Sequence, residues 1–122
     1  MKKFFILLVL SLMSATMSAQ THYVYAVLVY SYGYKYAGLV DEAHDHYSKN
    51  FLRDEADKKI EFNNYMVAVG YAQSLGWEVP DLEKQLMEET ATSYTREFAS
   101  FLLRKEVSEE EWLQWIEKGK KK

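Results

Sequence analysis

The sequence predicts an α+β fold: an antiparallel sheet of about four strands, with one central helix packed on it and a C-terminal helix. Three observations carry that prediction. Residues 22–36 are dense in β-branched and aromatic side chains, the composition of a strand or of the first arm of a hairpin. Residues 63–75 place Tyr65, Ala68, Val69, Ala72 and Leu75 at the spacing of one helical face. Residues 108–119 begin with Ser108 and Glu111 in capping-box spacing and carry Trp112, Trp115 and Ile116 as an apolar stripe.

Taken in order, residues 1–19 read as a secretory leader. Lys2 and Lys3 start it, an apolar run from Phe4 to Leu12 follows, and Ser14, Ala15, Ser18 and Ala19 supply the small residues that signal peptidase needs. A membrane anchor needs about 20 apolar residues, and this run is shorter. Cleavage is expected after Ala19, or after Ser18. The domain proper is then 20–122, free in the periplasm or outside the cell, with no membrane anchor after the leader is removed.

Both faces of the segment from Tyr23 to Tyr30 are apolar, so this strand should be central and covered on both sides. Gly33 is the expected break, and residues 35–41 return as a second strand. Residues 51–53 and 58–62 are short candidate strands, with Asp54 to Asp57 as their turn. Asn63 or Asn64 caps the central helix, Gly70 lets it lie close to the sheet, and Gly76 ends it in left-handed conformation. Trp77 folds back onto the last turn and closes the core. Residues 77–92 fit two states. Leu82, Leu86 and Met87 suit a helix beginning after Pro80, and a long strand fits as well. Residues 94–106 alternate as a strand. In the last helix Glu109, Glu110 and Glu111 sit at the positive end of the dipole, with Lys118 and Lys120 near the other end. Its stripe should dock on the protein's own sheet, or on a partner. Lys118, Lys120, Lys121 and Lys122 form a short basic tail.

Composition narrows the function. The chain has 122 residues and no Cys, which excludes disulfides, Cys-based zinc sites, thiol catalysis and a lipidated Cys. Lys2 and Lys3 leave with the leader, so the formal charge goes from −3 to −5 and 103 residues remain. A domain of that size buries about two thirds of its chain surface, enough for a core without cross-links. An acidic chain without a basic face is poorly suited to phosphate backbones, so no nucleic acid is expected. The glycines at 33, 38, 70, 76 and 119 do not make a phosphate loop. Nothing selects an acid pair for hydrolysis, nor a Ser, His and Asp set. No cofactor is expected.

Three clusters are candidate sites. In an extended segment His44 and His46 would point the same way and could share a metal with Asp41 or Glu42; the plain alternative is a solvated loop. A chain beginning Gln20-Thr21-His22 could hold Cu²⁺ or Ni²⁺ through its amine, two amides and the His22 ring. Tyr30, Tyr32, Tyr34 and Tyr36 form an aromatic ladder if the strand continues through Gly33. That ladder could stack sugars or grip an extended peptide, and ordinary strand composition is the alternative.

The run Tyr71-Ala72-Gln73-Ser74-Leu75-Gly76-Trp77-Glu78-Val79 resembles the signature of a family of small exported bacterial domains of unknown function. Its motif is a helix followed by a Leu-Gly-Trp-Glu-hydrophobic strand. Tyr23 to Tyr30 resembles that family's leading strand, Phe101 to Lys105 its closing one, and Lys58 to Phe62 its approach to the helix. Pro80 departs from the family's apolar continuation. The resemblance implies one helix on an antiparallel sheet, favours a strand over 77–92, and implies a structural role for Gly76 and Trp77. It implies no activity. The whole reading is therefore an exported, non-enzymatic binding or association domain. Its partner would be a peptide, a glycan or a protein, and it could form a homo-oligomer. The alternatives are a weak metal-binding periplasmic protein and a small hydrolase.

Overall fold

Alternation between His22 and Ser31 builds strand β1, His22–Ser31, the middle of a three-stranded antiparallel sheet. The computed structural model describes residues 20–92 and 96–121. The expected leader at 1–19, the start of the last strand at Tyr94, and Lys122 lie outside those residues. β1 pairs with β2, Ala37–Val40, on one side and with β3, Phe98–Val107, on the other. Leu28 therefore lies opposite both Leu39 and Phe101. Ala26, Leu28 and Tyr30 share one sheet face with Leu39, Ala99, Phe101 and Leu103, and all are buried. The Tyr30 hydroxyl donates to the Phe62 carbonyl at 2.9 Å, so this buried polar atom is satisfied.

The opposite face corrects the expectation that β1 is covered on both sides. Tyr25, Leu102 and Phe98 stand there, each 40–43% exposed. The helices add their apolar residues to the first face only. The second face is covered at one end, where Tyr47 packs edge-on against Phe98 at 5.4 Å.

The turn between β1 and β2 falls at Gly33, as expected. Ser31 donates to the Tyr36 carbonyl at 2.9 Å and Lys35 to the Ser31 carbonyl at 2.8 Å. The left-handed residue that closes it is Lys35 (φ 63°).

The expected fourth strand exists only as isolated bridges: Tyr36 with Glu61, Gly38 with Phe51, and Arg53 with Lys59. The predicted turn is present. Asp54 Oδ1 accepts from the backbone N–H groups of Ala56 and Lys58. The segment is nearly all exposed from Arg53 to Lys59, so no apolar row drives a continuous ladder.

Helix α1, Tyr65–Ser74, is capped by Asn64, whose side chain accepts from Val67 N–H at 3.2 Å. Tyr65, Ala68, Val69 and Ala72 enter the core as predicted. At the far end Gly76 (φ 97°) donates to Gln73 and Trp77 donates to Ala72, the paired bonds of a Schellman stop. Gly70 does not seat the helix on the sheet. It is exposed, and an added Cβ would meet nothing within 4 Å. Gly70→Ala should therefore raise stability by about 1 kcal/mol, read as a shift in urea midpoint at constant slope.

Helix α2, Leu82–Thr92, resolves the ambiguous stretch against the strand favoured by the family resemblance. Its sequence is rich in helix formers, and Leu82 and Leu86, four apart, pack on the core. Pro80 has no N–H to give a ladder. Met87, expected on the same face, is 73% exposed. One fragment of the strand reading survives: Glu78 exchanges both backbone bonds with Arg104, at 2.7 and 2.8 Å. The described residues thus form three strands and three α-helices, where about four strands and two helices were expected.

Both sheet edges are occupied. On the β2 side Leu52 N–H donates to Ala37 and Leu39 N–H to Asn50. On the β3 side, next to the Glu78 bridge, the Gln85 side chain takes the place of a strand. Its Oε1 accepts from Leu102 N–H at 2.9 Å, and its Nε2 faces the Leu102 carbonyl at 3.5 Å. Helix α3, Glu109–Gly119, closes the chain.

Candidate ligand recess at the terminal helix

The Schellman stop at Gly76 fixes where Trp77 goes. Its ring is half-buried and packs on the edge of the core rather than closing it. Its exposed part lines a recess of about 290 Å³. Trp77 thus packs on the core as expected and also borders this space. Lys105 reaches the recess from β3, opposite Val24 in the register, and its Nζ lies 4.4 Å from the centre of the Trp77 ring. Such a contact contributes about 0.5–1 kcal/mol at an exposed site.

Helix α3 forms the other wall. Ser108 Oγ accepts from Glu111 N–H at 3.2 Å and its hydroxyl faces Glu111 Oε1 at 3.1 Å, so the cap predicted from sequence is formed. The stripe docks only in part. Trp112 stacks on the His22 ring at 4.4 Å, Trp115 and Ile116 are half-buried, Leu113 is half-exposed, and no α3 residue is fully buried. Trp115 lines the recess and also a second one of about 520 Å³, and Asp41 and Glu42 border both. Its Nε1–H is sealed from solvent and meets no acceptor among the described residues. An unmet buried donor costs about 1–3 kcal/mol.

Charges of both signs surround this space. Asp41 is fully engaged: Oδ1 accepts from the N–H groups of Ala43 and His44 and lies 2.8 Å from His44 Nδ1, and Oδ2 accepts from Asn50. Neither Lys105 nor Lys118 forms an ion pair among the described residues. Arg104, one residue before Lys105, serves the opposite face. Its guanidinium binds Glu78 at 2.8 Å and covers the Tyr23 ring, and the pairing lowers the Glu78 carboxyl below its ordinary range.

The tyrosine ladder is not formed. Tyr30 is buried, Tyr32 is half-buried, Tyr34 is 74% exposed in the turn, and Tyr36 packs on Phe51. The turn after Ser31 breaks the extended line that a ladder needs. The histidines are also separated in role. His44 faces Asp41, and His46 Nδ1 accepts from Ser48 N–H to cap the short turn Tyr47–Lys49. Among the described residues no group of three or more acidic or imidazole ligands is placed to hold a metal ion.

Tyr32 has a different role. Its hydroxyl donates to Glu89 Oε1 at 2.5 Å, and Arg96 lies 3.7 Å from the other oxygen of that buried carboxylate. Burial, then the Glu89 hydrogen bond and charge, push the Tyr32 phenol well above its ordinary value. The folded chain holds this proton more tightly than the unfolded one. Its contribution to stability is whole below about pH 10 and fades as pH rises beyond that. Tyr32→Phe should thus lose less of its neutral-pH stability than wild type on going from about pH 9 to 11, by urea unfolding. An equal loss in both proteins would contradict this role.

Lys105 and Lys118 were not legible as site residues, and Glu42 was singled out only as a possible metal ligand beside His44 and His46. They come from β3, the loop after β2 and α3, and no local spacing joins them. The nearest signal was the apolar alternation of 98–107, which puts Lys105 on the core face. No known family, curated protein or solved structure matches the chain. The resemblance at Tyr71 to Val79 thus rests on those residues alone.

Proposed function

We propose that this is an exported, non-enzymatic binding domain, released from a leader at 1–19, and that its ligand seat is the recess between α3 and the sheet. The observation that carries this reading is the convergence of Trp77, Trp115 and Lys105 on one concave space. Apolar rings and valines ringed by charged groups of both signs, as here, can hold a small polar ligand. Glycans and short peptides are the classes to screen. Thermal-shift screening followed by calorimetry should find a ligand that Trp115→Ala or Lys105→Met weakens at least tenfold. A ligand indifferent to both changes would place binding elsewhere.

A second reading, association, is favoured by the part of the second sheet face that bears the half-exposed Tyr25 and Leu102. Sedimentation velocity decides it: a dimer broken by Leu102→Glu supports association through that face, and a monomer at high concentration removes it.

A further inference from the structure

The chemistry of the recess narrows its ligand, given the proposed reading of the recess as a ligand seat. Lys105 covers the Trp77 ring where a sugar would stack. The ammonium groups of Lys105 and Lys118 have no carboxylate partner among the described residues. On the acidic side Asp41 is consumed by its loop and Glu111 by its cap. Glu42 remains, bordering the same space with no hydrogen bond or ion pair among the described residues. Val24, Val107 and Trp77 add apolar wall. The volume, about 290 Å³, is at the small end of ligand pockets.

We infer that the recess takes a small zwitterion with an apolar body, an apolar free α-amino acid. Its carboxylate lies against Lys105 and its ammonium against Glu42. Its side chain rests on Val24 and the free part of Trp77. Charge-assisted hydrogen bonds of this kind are about twice as strong as neutral ones, so both ligand charges matter.

Calorimetric titration of the protein with leucine and phenylalanine tests this. N-acetyl-leucine, which lacks the ammonium, and leucinamide, which lacks the carboxylate, are run beside them. The amino acids should bind, and each blocked compound should bind at least tenfold more weakly. Lys105→Met should erase the advantage of leucine over leucinamide, and Glu42→Gln its advantage over N-acetyl-leucine. Each variant is first checked for a native circular-dichroism spectrum, with Lys105→Gln as the substitute if Lys105→Met does not fold. Equal binding of leucine and either blocked form would overturn the zwitterion while leaving the recess as a seat. Absence of binding throughout the series would also overturn it, and the glycan and peptide screen would then decide the recess separately.

Discussion

Phe101→Ala is expected to remove about 3–5 kcal/mol of folding stability. Phe101 is 1% exposed on the buried face of β3, opposite Leu28 in the register. Its ring lies 5.6 Å from that of Tyr65, nearly parallel, and so joins the sheet to the first turn of α1. Truncation removes the transfer free energy of the ring and leaves a cavity that the strand and helix backbones cannot close. A domain of this size has about 5–15 kcal/mol in total. The variant should therefore be largely unfolded at modest urea, with α1 losing protection from hydrogen exchange together with β3. A loss below about 1 kcal/mol would mean that Phe101 is not the joint between the two layers.

The second large effect is expected from the smallest change. Gly38→Ala puts a Cβ 2.1 Å from the Tyr47 carbonyl oxygen and 2.8 Å from its carbonyl carbon. Those atoms are backbone and cannot swing aside. The loop at 41–50 must lift, which breaks the Leu39 to Asn50 bond at 3.0 Å and pulls Tyr47 from Phe51 and Phe98. Overpacking of this kind costs about 1–3 kcal/mol and at times more, and the upper end applies because the obstacle is main chain. Urea unfolding should give a loss of about 3 kcal/mol, with faster proteolysis within 41–50. The contrast with Gly70→Ala is the sharper test. The same substitution, in open space on α1, should have the opposite sign. A loss from Gly70→Ala would refute its open-space assignment, and no loss from Gly38→Ala would refute the clash at Tyr47.

What could be read from the sequence was local. The Asn64 cap, the Gly76 stop and the Ser108 cap are each settled within a few residues, and all three formed. The strand at 22–31 was also legible, because its composition is extreme. Residues 77–92 were not. Helix propensity favoured one state and the Leu-Gly-Trp-Glu resemblance the other, and Pro80 with Leu82 and Leu86 decided for the helix. The missing fourth strand was likewise illegible. Residues 51–62 alternate enough to pair, yet too little of their surface is apolar to sustain a ladder. The recess was hidden for a different reason. Its parts come from β1, β3, α3, the loop after β2 and the end of α1, and tertiary packing, including the register of Val24 with Lys105, brings them together.

Gln85 carries a consequence of its own. A bare outer strand is a template on which further chains can stack, and growth of that kind ends in fibrils. Here one amide side chain sits at Leu102 as an imitation of a neighbouring backbone, and Glu78 screens the next outward-facing position. The molecule therefore has its own guard against edge-to-edge polymerisation, shared by one carboxamide and the Glu78 backbone. Deamidation at that position would exchange the donor arm for a second acceptor. Slow chemical ageing of Gln85 would then leave this outer strand less well covered.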